Sequence, residues 1–325
     1  MINHLKEQVL QGYHISRDEA LALWEAAQQS AQQLEILCTC ADDIRQYFCG
    51  NHFDICTIIN GKCGSCSEDC KYCAQSSHYL AETPTYSLLN TDRLLSGAAY
   101  NQERGILRYS IVTSGRTVNP EELDQLCASY QSIQKSQSIS LCASHGLLTY
   151  EQLLQLKEAG VVRYHNNLET SRRNFPAVCT THTYDDKIAT IEAAQRAGLS
   201  VCSGGIMGLG ETMVDRIDMA FDLKELGVQS VPINILNPIP HTPLEDQPIL
   251  SLDEVRGIVA LYRFILPTTA LRLAGGRELL SDKGRSVFAS GANAAISGDM
   301  LTTSGIRISS DLEMIQDLGF TLSAL

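Results

Sequence analysis

The sequence predicts a (β/α)8 TIM-type barrel with an N-terminal helical lead-in. Three observations carry that expectation. Eight short runs of β-branched and apolar residues follow residue 53, amphipathic helical stretches separate them, and in three places a helix ends on a glycine that leads straight into the next run. Those places are Lys157-Glu158-Ala159-Gly160-Val161, Gln195-Arg196-Ala197-Gly198-Leu199 and Lys224-Glu225-Leu226-Gly227-Val228. In each, glycine suits the left-handed conformation that closes a helix. Alternating strands and helices imply right-handed crossovers and a parallel sheet. Eight such units close a barrel, and 325 residues suit that fold.

Residues 1–50 read as helical. Ser16-Arg17-Asp18-Glu19 has the pattern of a capping box, and Leu21, Trp24 and Leu34 supply apolar anchors. This segment is expected to be an extension of the barrel, which then occupies residues 51–325. The runs are Ile55–Ile59, Ile106–Val112, Ile139–Ala143, Val161–His165, Ser200–Ile206, Ser230–Leu236, Thr269–Leu273 and, more weakly patterned, Val287–Ile296.

Lys and Arg number 25 against 37 Asp and Glu, so the net charge is 25 − 37 = −12. That balance repels nucleic acid and an anionic membrane surface alike, so neither is an expected partner. The first residues, Met1 to Glu7, lack a charged-then-apolar signal pattern, and no apolar run is long enough to span a bilayer. A cytoplasmic protein is expected. In that compartment cysteines stay reduced, and a cluster of them points to metal or catalysis.

Such a cluster follows the first run: Cys63-x2-Cys66-x3-Cys70-x2-Cys73. Four thiols could close a tetrahedral zinc site. Alternatively, Cys66, Cys70 and Cys73 could hold an iron–sulfur cluster with one iron left for a ligand. The loop after a barrel's first strand lies at the catalytic mouth, which favours the open site. Tyr72 adds an aromatic face there. Cys38, Cys40 and Cys49 read as buried or incidental thiols.

The spacing Cys66-x3-Cys70-x2-Cys73 resembles the radical S-adenosylmethionine superfamily. The longer string from Cys66 to Ser76 (CSEDCKYCAQS) resembles the biotin synthases within it. The resemblance continues through Tyr164–Thr170 (YHNNLET), Val201–Thr212 (VCSGGIMGLGET), Val231–Asn234 (VPIN), Arg272–Glu278 (RLAGGRE) and Gly291–Asn293 (GAN), spanning roughly residues 50–305.

Strand alternation gives a reading independent of any family. Apolar faces should meet the surrounding helices. The opposite faces should then line the lumen with Cys56, Arg108, Ser110, Cys142, His165, Asn167, Glu169, Cys202, Asn234 and Arg272. Ordinary barrels fill that space with Val, Ile and Leu. So many inward polar groups need ligands, because unpaired buried polar atoms each cost a few kcal/mol, about 1–3. Three inward thiols beside two arginines point to a second metal site.

The resemblance implies the rest. It implies a [4Fe–4S] cluster on Cys66, Cys70 and Cys73 that binds S-adenosylmethionine, with dethiobiotin as substrate and an auxiliary iron–sulfur cluster as sulfur source. Tyr72, Asn167, Glu169, Lys187, Gly204, Gly205 and Ile206 should contact the cofactor. Asn167, Asn234, Thr302 and Thr303 should hold the substrate. Asn167, Glu169 and Arg272 are the expected catalytic positions. A common auxiliary cluster of the family is [2Fe–2S] on three cysteines and an arginine; Cys142, Cys202 and Arg272 match three of those positions, but Ser110 stands at the fourth. Cys56 is present on the first strand instead. Cys56, Cys142 and Cys202 therefore suit a [4Fe–5S] cluster, with Arg272 as a ligand or neighbour. An electron donor such as flavodoxin or ferredoxin, and a homodimer, are further implications of the resemblance.

Overall fold

The computed structural model describes residues 1–325. Ten strands form: β1 (His52–Lys62), β2 (Arg108–Thr113), β3 (Ser140–Ser144), β4 (Val161–His165), β5 (Ser200–Cys202), β6 (Gly205–Met207), β7 (Ser230–Ile235), β8 (Ala270–Leu273), β9 (Ala294–Ile296) and β10 (Thr321–Leu322). All pairings are parallel, and the ring runs β1-β2-β3-β4-β5-β7-β8-β9, closing by β9 on β1. Helices pack around it, as the alternation predicts. Gly160, Gly198 and Gly227 all take positive φ at their helix ends.

Two of the predicted runs differ from their strands, and one strand was not anticipated. The run Ser200–Ile206 breaks into β5 and β6. Its partner β7 carries Pro232, which lies opposite Gly204 and has no N–H to give the ladder. A Cβ on Gly204 would overlap the Pro232 carbonyl, so glycine is what lets the broken edge sit that close. In the last run only Ala294–Ile296 is strand, because Arg285–Phe288 coils into a helical turn and Gly291 reverses the chain at φ 109°. β10 lies outside every predicted run. It pairs with the first residues of β1, His52 opposite Thr321.

The N-terminal segment forms α1 (Ile2–Leu10), α2 (Arg17–Ala27) and α3 (Ala31–Cys49). The Ser16–Glu19 capping box is made in both directions. Leu23, Leu37 and Ile44 are fully buried in the same apolar core as Ile258 and Leu261 of the barrel helix Leu252–Ile265. Gly257 on that helix lies close under Trp24, where a Cβ would sit 2.8 Å from the indole. The extension is thus an added layer of the barrel core. No helix is long and apolar enough to cross a membrane.

Behind β2 and β3, His145 is fully buried. Its Nδ1 lies 3.0 Å from Thr113 Oγ1 and its Nε2 3.0 Å from Tyr130 Oη. Burial pushes this imidazole down to about 3. The folded state therefore binds fewer protons than the unfolded chain below about pH 6.5, and stability falls as pH drops toward 3, by up to about 1.4 kcal/mol per pH unit. His145→Gln is expected to flatten that slope in urea titrations between pH 6.5 and 4.5. Equal slopes for the two proteins would refute it.

Candidate active site

The cysteine loop starts where β1 ends. Gly64 and Ser65 turn it through positive φ. Cys66 N–H then donates to Gln75 O at 2.9 Å, Cys73 N–H to Cys70 O at 3.0 Å and Ser77 N–H to Cys66 O at 2.8 Å. The three cysteines thus sit on a loop tied to itself. A second tie is the Asp69 carboxylate, which accepts from the backbone N–H groups of Thr180 and Thr181 and from both threonine hydroxyls. Burial opposes its charge, but those donors hold Asp69 well below the usual carboxylate range.

Beneath the loop lies a cavity of about 370 Å³. All ten residues assigned to the lumen by alternation line it, and so do Tyr72, Cys73, Ile206, Thr302 and Thr303. Register explains the grouping: Cys56 lies opposite Arg108, Ser110 opposite Cys142, Cys142 opposite Arg163, and His165 opposite Cys202. Thiols on β1, β3 and β5 are therefore separated by basic residues on β2 and β4. Arg272 on β8 closes the ring, with Nη1 3.2 Å from Cys56 Sγ. Burial pushes the Cys56 thiol up to about 12 against the pull of Arg272. Burial also raises Cys202, but the neighbouring His165, Arg272 and Arg163 outweigh it and bring that thiol down to about 6.

The lumen floor is ionic. Asp54 is completely buried, 2.8 Å from Arg108 Nε, 3.6 Å from Arg163 Nη1 and 3.3 Å from Arg272 Nη2. Arg108 and Arg163 also donate to the Leu325 carbonyl at 2.9 and 2.7 Å, and Leu325 N–H donates to Asp54 at 3.1 Å.

At the mouth, Glu169 has φ 71°, an uncommon conformation for a side-chain-bearing residue. Its N–H donates to Gly204 O and its carbonyl accepts from Ile206, which pins the broken edge between β5 and β6. Asn167 and Asn234 face the cavity with their amides already engaged. Asn167 Oδ1 accepts from Gly204 N–H at 3.1 Å and its Nδ2 donates to Glu169 at 3.3 Å. Asn234 Oδ1 accepts from Gly275 N–H at 2.9 Å and its Nδ2 donates to Gly205 O at 3.1 Å.

Lys187 does not line the cavity. It lies half-buried near Cys70, whose thiol the neighbouring Cys179 and burial push up against the pull of the Lys187 charge. Gly204 and Gly205 make their close approaches to Pro232, Glu169 and Met219. Cys63 is buried and bridged to Tyr86, outside the cavity lining.

Comparison with known proteins adds a second line of observation. Residues 63–223, from the cysteine loop into the helix Met213–Glu225 after β6, match the radical SAM superfamily model, and residues 232–321 match the Biotin and Thiamin Synthesis associated domain. A curated biotin synthase from Akkermansia muciniphila is 58% identical over 98% of both chains. One from Clostridium botulinum is 56% identical over 97% of both. The chain belongs to the biotin synthase family. The barrel itself recurs more widely. Methylornithine synthase superposes with a TM-score of 0.86 at 18% identity, covering 98% of this chain and 97% of that one. A maturase of the [FeFe]-hydrogenase superposes with a TM-score of 0.84 at 18% identity, covering 99% and 75%. These structures share the fold.

Membership in the biotin synthases implies a [4Fe–4S] cluster used with S-adenosylmethionine. The lumen of this family member also has the makings of a second site. Arg163 Nη1 and Arg272 Nη2 are buried without a hydrogen-bond partner, although both lie near Asp54. Unspent guanidinium donors beside three thiols suit an anionic sulfur-rich group. Sequence reasoning missed three features here. Asp54 and Arg163, two residues before Cys56 and His165 on the same strand faces, also point inward. Cys179 and His182 were not singled out, although Cys179-x2-His182 is a ligand-type spacing.

Proposed function

We propose that the chain converts dethiobiotin to biotin by radical sulfur insertion. The observation that carries this is the stacking of two sulfur-rich sites: the Cys66/Cys70/Cys73 loop at the mouth, and Cys56, Cys142 and Cys202 around one cavity beneath it. Cys66, Cys70 and Cys73 would hold a [4Fe–4S] cluster, which would supply the electron for reductive cleavage of S-adenosylmethionine, and the lumen thiols would hold an auxiliary cluster as the sulfur source.

The chain's own residues position and enclose. Tyr72, Glu169 and Ile206 form the wall nearest the loop and are assigned to the cofactor, with Lys187 at its edge and the Gly204–Gly205 backbone behind. Asn167 and Asn234 present amide groups suited to a ureido ring, and Thr302 and Thr303 present hydroxyls suited to a carboxylate. The barrel wall keeps water from the radical. Cys56, Cys142 and Cys202 would hold the auxiliary cluster, and they suit a [4Fe–5S] rather than a [2Fe–2S] form because β2 carries Ser110 in place of a thiol and β1 adds Cys56; Arg272, 3.2 Å from Cys56, would be its ligand or neighbour. Flavodoxin or ferredoxin as electron donor and a homodimeric assembly belong to the same proposal on resemblance alone.

The test is anaerobic turnover with S-adenosylmethionine, a reductant and dethiobiotin, read by mass spectrometry. Biotin is expected with about two 5′-deoxyadenosines per molecule, one for each C–H bond replaced. Formation of 5′-deoxyadenosine alone, by protein holding both clusters, would overturn the substrate assignment. Mössbauer spectra of the reconstituted protein decide the auxiliary form, and a pure [2Fe–2S] contribution rules out [4Fe–5S].

A further inference from the structure

Behind the cysteine loop, on the side away from the cavity, lies a second set of ligand-type groups that the reaction above leaves unused. Cys70, Cys179 and His182 bring their donor atoms within 4.8 Å of one another. Cys179 and His182 are 3% and 7% exposed. Cys70 Sγ lies 3.7 Å from Cys179 Sγ. Two thiolates at zinc-like bond lengths in a tetrahedron are about 3.8 Å apart, so this pair already has a metal-site spacing.

The histidine is oriented as a ligand. His182 Nδ1 lies 2.6 Å from Glu68 Oε2. Cys179 Sγ lies 3.3 Å from Nδ1 and 3.8 Å from Nε2, so the imidazole edge faces the thiol, and with the Nδ1 proton donated to Glu68 it is Nε2 that keeps a lone pair for an ion. A carboxylate behind a histidine is the usual outer support of a metal-bound imidazole. Glu68 is itself held, by Thr181 Oγ1 at 2.8 Å and Ser67 Oγ at 3.1 Å. Asp69 Oδ1 stands 3.2 Å from Cys179 Sγ but is already occupied by the Thr180 and Thr181 donors, so it supports the thiol from outside the group.

We propose that Cys70, Cys179 and His182 form a mononuclear site for a thiophilic divalent ion, with water completing the tetrahedron. Binding releases the two thiol protons to solvent and bonds the ion to two sulfurs and one nitrogen, with no change of oxidation state. Cys70 cannot serve this ion and the loop's iron–sulfur cluster together, so the two are exclusive. That exclusivity, unlike the ion site itself, rests on the cluster assignment made above. The cluster-free chain would then hold its loop in place with a single ion, and cluster loading would have to displace it.

Cobalt(II) added to cluster-free, full-length protein is the probe, since thiolate ligation in a tetrahedron gives intense visible and sulfur-to-metal charge-transfer bands. The Cys66→Ala/Cys73→Ala double variant is expected to keep one cobalt with wild-type bands. Cys179→Ser and His182→Gln are each expected to bind cobalt at least tenfold more weakly and to change the spectrum. The opposite pattern, with cobalt lost from the Cys66/Cys73 variant and unchanged in the Cys179 and His182 variants, places the ion on the loop thiols and overturns the proposal. The first arm keeps both proposed thiols and the imidazole, so the result does not depend on how well the other two variants fold. Zinc at one equivalent should also slow cluster reconstitution in wild type and leave Cys179→Ser unaffected. A retained cobalt site in protein that never loads a cluster would leave the ion site standing and remove the cluster assignment.

Discussion

Replacing Asp54 by asparagine is expected to lower the unfolding free energy by about 3–5 kcal/mol, the range for removing one partner from a buried charge network. The carboxylate has no exposed surface, and three arginines converge on it. Asparagine keeps the shape and loses the charge, which leaves three guanidinium groups facing one another with little water to screen them. Burial works against the Asp54 charge, but Arg272 and Arg108 more than offset it, so its folded pKa lies below its ordinary value. The sign follows: the contribution of Asp54 is present above about pH 4, the unfolded carboxyl's range, and is lost as pH falls through the lower folded value. Urea unfolding of Asp54→Asn at pH 7 measures the effect, and a loss under 1 kcal/mol would show that the arginines find other partners.

The second large effect separates the two sulfur-rich sites. Cys56→Ala, Cys142→Ala and Cys202→Ala are each expected to leave reductive cleavage of S-adenosylmethionine within about threefold of wild type. Biotin formation should fall more than about 100-fold, beyond what loss of an outer-shell partner alone costs. Cys66→Ala, Cys70→Ala and Cys73→Ala should abolish both. Quantifying 5′-deoxyadenosine and biotin in one anaerobic assay reads the two outcomes together. Biotin formation by Cys56→Ala at wild-type rate would remove β1 from the auxiliary site and return Ser110 to consideration.

The barrel was legible because its signals are local. Glycines at 160, 198 and 227 mark helix ends whatever lies around them, and period-two alternation put ten correct side chains in the lumen. What failed was non-local. The split of Ser200–Ile206 depends on Pro232 lying opposite Gly204, a pairing that no window along either segment contains. β10 is two residues long and exists only because the start of β1 has a free edge for it. Asp54 was on the correct face of β1, two residues before Cys56. Its role depends on arginines from β2, β4 and β8 meeting at one level of the barrel, which register decides. Cys179 and His182 were hidden in the same way: their neighbours Glu68, Asp69 and Cys70 are about 110 residues earlier in the chain.

The amides of Asn167 and Asn234 bridge the broken edge and the end of β7 to the loops around them, so each side chain is held at both ends before any ligand arrives. Freezing a free amide side chain on association costs roughly 0.5–1.5 kcal/mol in rotamer entropy. Here that loss is taken during folding, and a ligand meeting either oxygen uses its second lone pair without reorganising the wall. Association at this surface should accordingly show a small conformational-entropy penalty. It also means that truncating Asn167 or Asn234 changes the rigidity of the mouth together with the contact, so calorimetry, with enthalpy and entropy resolved, separates the two where a single affinity would merge them.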